Sequence, residues 1–211
     1  MTLCTDTQLL AWEPNLPAEA AFAAQVLLGG SGALAGCTLT LASGSAQQSR
    51  VSAGDVVLLS GAVAGAFPIV RVDSDTQLSI SALHADLEAA PVPVGTASGL
   101  GVMVRSFGYQ RRLVSDMIQR AAGLEPSDPR PAGVLVQRQS LARACALGTL
   151  HLITSAMAVM SAEPAALWLR AEMYQRLFQR ALRQSQAYID TDGDGLPDVV
   201  RSLALVGYRR A

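Results

Sequence analysis

Apolar positions recur along the chain with two different periods. From Pro164 onward, Leu167, Ala171, Tyr174, Leu177, Phe178, Ala181, Ser185, Tyr188 and Ile189 follow one another at three- and four-residue steps. That spacing lines one face of an α-helix and predicts a single amphipathic helix running to Ile189. Arg176, Arg180 and Arg183 fall on the opposite face, one turn apart. Pro164 suits a first helical turn, where its missing N–H costs nothing. The run Asp190-Thr191-Asp192-Gly193-Asp194-Gly195-Leu196-Pro197-Asp198 ends the helix, since two glycines and a proline cannot continue it. Residues 137–160 predict a second long helix. It is polar early, at Gln137, Arg138, Gln139, Ser140 and Arg143, and apolar nearly all round from Ala144 to Met160. A helix apolar on every side is normally a buried one. His151 and the lack of anchoring charge on one flank argue against a membrane span. From Tyr109 a third helix is expected, with Leu113, Met117, Ile118 and Ala121 as its apolar stripe and Arg111, Arg112, Asp116 and Arg120 away from it. Gly123 stands at its end, and the proline-rich residues 125–131 form a loop.

Between residues 34 and 106 the period changes to two. Cys37 to Leu41, Val56 to Leu59, Phe67 to Val72, Leu78 to Ile80 and Leu100 to Phe107 are short β-branched or alternating runs separated by turn signals. They predict five or six strands of a small antiparallel barrel or sandwich. Ahead of them, Thr5 and Gln8 have the spacing of a capping box, with Leu9, Leu10 and Trp12 as apolar anchors. Ala18 to Leu28 reads as a second helical piece closed by Gly29-Gly30-Ser31-Gly32. The expected fold is therefore α+β: a bundle of three to four helices with an inserted β-barrel or sandwich module and an extended C-terminal arm. The divisions fall at 1–33 (helical segment), 34–106 (β-module), 107–190 (helical bundle) and 191–211 (acidic turn and arm). The last stretch, Arg201 to Ala211, reads either as a short strand or as an arm reaching into a neighbour.

Composition adds an expectation of assembly. Half of the chain is hydrophobic and only 16% is charged, against roughly a quarter in ordinary soluble domains. So little charge favours covering surface with other subunits; a drift towards alanine and glycine is the plainer reading. Residues 1–104 carry 2 arginines and 8 acids, and residues 105–211 carry 14 arginines and 9 acids. Opposed halves of this kind attract one another between subunits, or present a basic half to nucleic acid, or are simply solvated. Cys4, Cys37 and Cys145 are odd in number and far apart, which fits neither a disulfide framework nor a zinc site. A reduced intracellular protein is expected, and the first residues have no signal-peptide pattern.

The acidic loop is the sharpest local motif. Asp190, Asp192 and Asp194 match the first, third and fifth positions of a calcium loop, Gly195 the sixth and Asp198 the ninth. The twelfth, normally a bidentate acid, is Arg201. Three readings stand side by side: a calcium site with another final ligand, a solvated acidic turn, and a turn whose aspartates pair with arginines of another subunit. His84 and His151 have no nucleophile and acid arranged around them in sequence and read as structural. Cys145 reads as a small core residue. Gly29-Gly30-Ser31-Gly32 lacks the lysine of a phosphate loop. No enzyme is expected. The arginine stripe suits contact with passing DNA rather than base reading, because no aromatic residues interleave it.

The order of elements resembles the head–tail connector (adaptor, or neck) proteins of tailed bacteriophages. Three stretches carry the likeness: Asp6-Thr7-Gln8-Leu9-Leu10-Ala11-Trp12-Glu13-Pro14 before the β-module, Val104-Arg105-Ser106-Phe107-Gly108-Tyr109-Gln110 leading from strand into helix, and Tyr188-Ile189-Asp190-Thr191-Asp192-Gly193-Asp194-Gly195 before the arm. The smaller members of the family lack the β-module. The resemblance implies a structural virion protein at the head–tail junction, made in the host cytoplasm. It implies a homo-oligomeric ring, typically of twelve subunits, that binds the portal protein and a tail or second neck protein and passes DNA without reading its sequence. The arm that docks on the portal would comprise Arg201, Leu203, Leu205, Val206, Tyr208, Arg209 and Arg210. The faces around Arg176, Arg180 and Arg183 would meet neighbours, portal or channel. No membrane and no cofactor other than calcium is implied. A calcium-stabilised binding module and a non-specific nucleic-acid-binding protein remain the alternatives.

Overall fold

The computed structural model describes residues 2–84, 89–126 and 133–204. The chain forms two compact units, one of Thr5–Gly108 and one of Met1–Cys4 with Tyr109–Ala211. The first unit opens with α1 (Asp6–Trp12) and a short turn of helix, α2 (Leu16–Glu19). The capping box is present: the Gln8 N–H donates to Thr5 Oγ1 at 3.3 Å and the Thr5 N–H donates to Gln8 Oε1 at 3.0 Å. Six strands follow: β1 (Gln25–Gly36), β2 (Thr38–Leu41), β3 (Val56–Ser60), β4 (Gly65–Val72), β5 (Gln77–Ile80) and β6 (Gly95–Ser106). They close an antiparallel barrel in the order β1-β2-β5-β4-β3-β6. Its interior is filled by the inward members of each alternation, among them Leu28, Leu34, Leu39, Val57, Ile69, Leu78, Leu100 and Val104. Closure leaves no strand edge for another chain to pair with.

Residues 18–28 depart from the helical expectation. The alanines favour helix locally, yet β1 begins at Gln25 and pairs with β6 from Gln25↔Ser106 to Gly36↔Gly95. Tertiary pairing outweighs a propensity of tenths of a kcal/mol per residue. The Gly29–Gly32 run, expected to end a helix, lies inside this strand. Gly32 sits where a Cβ would come 2.6 Å from the Thr40 carbonyl oxygen and 3.2 Å from Val102 Cγ2, and the register shifts between Gly32 and Leu34. The glycine allows the strands to approach at a bulge.

The second unit holds α3 (Gly108–Ala121), β7 (Val134–Val136), α4 (Gln139–Met160), α5 (Pro164–Gln184), β8 (Gln186–Asp190) and β9 (Val199–Ser202). With α1 and α2, that makes five helices among the described residues, and the fold is mixed α+β. Helices α4 and α5 pack together along their length. Gly148 lets α4 approach both α3 and α5, since a Cβ there would lie 2.7 Å from Val114 Cγ1 and 3.0 Å from Phe178 Cε2. Helix α4 is the one described helix long and apolar enough to cross a membrane, and most of its length is buried within the unit. The hydroxyls of Thr149 and Thr154 donate to the carbonyls of Cys145 and Leu150, four residues back, at 2.8 and 2.7 Å. This satisfies them inside the core.

Two expectations for this unit are corrected. The last helix stops at Gln184, not Ile189: Ser185 is extended, and Gln186–Asp190 becomes the middle strand of a sheet ordered β7-β8-β9. Alternation at Ala187 and Ile189 also satisfies a two-residue period, and pairing on both edges settles the matter. On α3 the buried residues are Arg111, Val114, Ser115 and Ile118, while Leu113 and Met117 are 41% and 53% exposed. Arg111 turns inward because its guanidinium donates to the Cys4 carbonyl at 3.0 Å. A charged hydrogen bond to backbone makes such burial tolerable.

Candidate functional site

The acidic turn connects β8 to β9, which hold its two ends at ladder distance. The carboxylates of Asp190, Asp192 and Asp194 lie with ligand oxygens within 4.8 Å of one another. Asp190, buried at the end of β8, organises the turn. It accepts hydrogen bonds from the backbone N–H groups of Gly193 at 2.6 Å, Gly195 at 2.8 Å and Asp192 at 3.1 Å. Gly193 and Gly195 both have a φ of +85°, which glycine alone reaches without strain. The N–H groups of Gly193 and then Gly195 hold the Asp190 carboxyl below the usual carboxylate range. Three carboxylates so placed are an oxygen-donor set suited to a hard divalent cation.

Asp198 takes a different place. Its Oδ2 accepts from the Thr191 N–H at 2.7 Å and from the Thr191 hydroxyl at 2.8 Å, and these bonds lower its pKa. It braces the far side of the turn. Arg201, at the twelfth position of the expected loop, lies on β9 and donates to the Ala122 carbonyl at 2.7 Å. Leu203 is 2% exposed and its N–H donates to the Ser185 carbonyl at 3.2 Å. Both residues, named for the docking arm in a stretch read as either a short strand or an arm, hydrogen-bond within their own unit. Leu205, Val206, Tyr208, Arg209 and Arg210 lie outside the described residues.

The outer face of α5 is the second feature. Arg176, Arg180 and Arg183 are exposed as their positions predict. They share that face with Leu169 and Met173, which are 69% and 46% exposed. Together with the half-buried Leu177 they line one open face of the helix. Glu172 lies 3.3 Å from Arg176, a solvated pair of little energetic weight. This interleaving of apolar and cationic side chains was half legible: the arginines follow from the period, while Leu169 and Met173 stand outside the predicted buried stripe.

His151 Nδ1 lies 3.0 Å from the Ala171 carbonyl oxygen and 3.5 Å from Ser155 Oγ. A carbonyl only accepts, so Nδ1 carries the proton and cannot serve Ser155 as a base. The histidine ties α4 to α5. A juxtaposition with no signal in the sequence brings together Cys4 and Cys145, whose sulfurs lie 2.7 Å apart. Compared with family models, with curated proteins and with solved structures, the chain matches none.

Proposed function

We propose that this protein is a ring-forming structural component of the head–tail connector of a tailed bacteriophage. The observation that carries the reading is the outer face of α5. Leu169 and Met173 stand exposed between Arg176, Arg180 and Arg183, in an arrangement suited to a partner surface that offers both apolar contact and negative charge. Residues 1–104 of a second copy, with 8 acids against 2 arginines, have the complementary sign. The exposed Tyr109, Leu113 and Met117 of α3 add a further apolar stripe to be covered in an assembly. On this reading a homo-oligomer of about twelve subunits, in keeping with closed cyclic symmetry, sits in the virion between the portal protein and a tail or second neck protein. DNA passes through it without sequence recognition. The segment beyond Leu203 is the part left to reach the portal.

The test is the mass of the purified chain in solution, alone and mixed with the portal protein of the same genome, with electron microscopy of any large species. A closed ring or a portal complex is the expected outcome, and Leu169→Asp with Met173→Asp should abolish it while leaving the circular dichroism spectrum unchanged. A wild-type chain that stays monomeric beside the portal overturns the reading. The convergence of Asp190, Asp192 and Asp194 favours a second reading, in which calcium rigidifies the β8–β9 turn for docking.

A further inference from the structure

Cys4 and Cys145 are 141 positions apart in sequence, and their sulfurs lie 2.7 Å apart in the interior of the second unit. Both side chains are sealed, at 3% and 0% exposure. The meeting does not depend on one adjustable rotamer, because both backbones are held independently. The Leu3 N–H donates to Ser115 Oγ at 2.9 Å and Arg111 donates to the Cys4 carbonyl at 3.0 Å, while Cys145 sits within the second turn of α4. Hydroxyls surround the pair: Ser115 Oγ lies 3.4 Å from Cys145 Sγ, and Thr149 Oγ1 lies 4.0 Å from Cys4 Sγ. Cys37 belongs to the barrel unit, where its thiol faces the Pro91 carbonyl.

We propose that Cys4 and Cys145 are a redox-active pair that closes to a disulfide by exchange with a low-molecular-weight disulfide of the glutathione type. When the segment carrying Cys4 lifts, the Cys4 thiolate attacks one sulfur of glutathione disulfide and expels a glutathione thiolate. On reseating, the Cys145 thiolate attacks Cys4 Sγ and expels the second glutathione. Two protein thiols are oxidised, one glutathione disulfide is reduced to two glutathione thiols, and the two protons pass to solvent and the leaving thiolates. The hydrogen bond from Cys4 lowers the Cys145 pKa. The hydrogen bond to Cys145, followed by burial, raises that of Cys4 in the seated state. The bond closes a covalent loop that contains all of Thr5–Gly108, and long loops lose the most unfolded-chain entropy on cross-linking.

The test equilibrates the full chain across a series of glutathione to glutathione disulfide ratios, traps free thiols with an alkylating reagent, and reads intact mass, linked peptides and melting temperature. Expected are a loss of two hydrogens, a Cys4–Cys145 linked peptide, a still-alkylated Cys37, and a rise in melting temperature on the order of 5–15 °C. Cys145→Ser should trap one glutathione on Cys4, and Cys37→Ser should leave the linkage intact. Free Cys4 and Cys145 at the most oxidising ratio overturn the proposal, as does a linkage that includes Cys37. A wild-type glutathione adduct that never resolves overturns it too.

Discussion

Gly148 offers a direct contest between helix propensity and packing. Alanine at an interior helix position is favoured over glycine by about 0.8–1.0 kcal/mol, so Gly148→Ala would stabilise an exposed helix. Here the new Cβ would sit 2.7 Å from Val114 Cγ1 on one side and 3.0 and 3.1 Å from the Phe178 ring on another. Comfortable carbon–carbon contact lies near 3.5–4.0 Å. Both neighbours must therefore retreat by roughly an ångström, and moving away from α3 drives α4 towards α5. Val114 is stiff at χ1 and 1% exposed, and Phe178 is 9% exposed, so neither has free space to enter. Overpacking of this kind costs about 1–3 kcal/mol. Packing should win, leaving a net destabilisation of about 1–2 kcal/mol and a melting temperature lower by about 3–6 °C. Urea unfolding followed by far-ultraviolet circular dichroism reads it. Combining it with Val114→Ala, which clears the nearer clash, should recover about 1 kcal/mol as coupling between the two sites. A Gly148→Ala variant as stable as the parent, with strict additivity in the double variant, would refute the reasoning.

Three further outcomes are expected. The Asp190 carboxyl has a depressed pKa in the folded turn, so its contribution is present above the ordinary carboxylate pKa and is lost as pH falls through the folded value. The protection of the Gly193 and Gly195 amides, taken relative to their intrinsic exchange rate at each pH, should fall only in that acid range, and a loss of protection already between pH 7 and 5 would contradict the assignment. Calcium at about a hundredfold excess over its Kd should raise the melting temperature by several degrees, and Asp192→Asn with Asp194→Asn should remove the rise; a calcium-indifferent melt rejects the site. Thr5→Ala removes the cap of α1 and should cost about 1 kcal/mol in chemical denaturation, with Thr5→Ser restoring most of it.

Features that rest on local chemistry were legible along the chain. Thr5 and Gln8 form the cap their spacing demands, and the alternating runs from Cys37 to Phe107 form strands. The aspartates from Asp190 to Asp194 make the turn because glycines at Gly193 and Gly195 permit its backbone. The arginines of α5 face outward because a charge is expensive to bury. Features that depend on a distant partner emerged only with folding. Residues 25–36 became a strand because β6 was there to pair, and 186–190 became a strand because β7 and β9 flank it. Arg111 went inward, leaving Leu113 and Met117 outside, because the Cys4 carbonyl lay within reach. Cys4 met Cys145 for the same reason. Local propensities differ by tenths of a kcal/mol per residue, while each of these distant contacts contributes more through hydrogen bonding and burial, so the partner rather than the period sets the outcome.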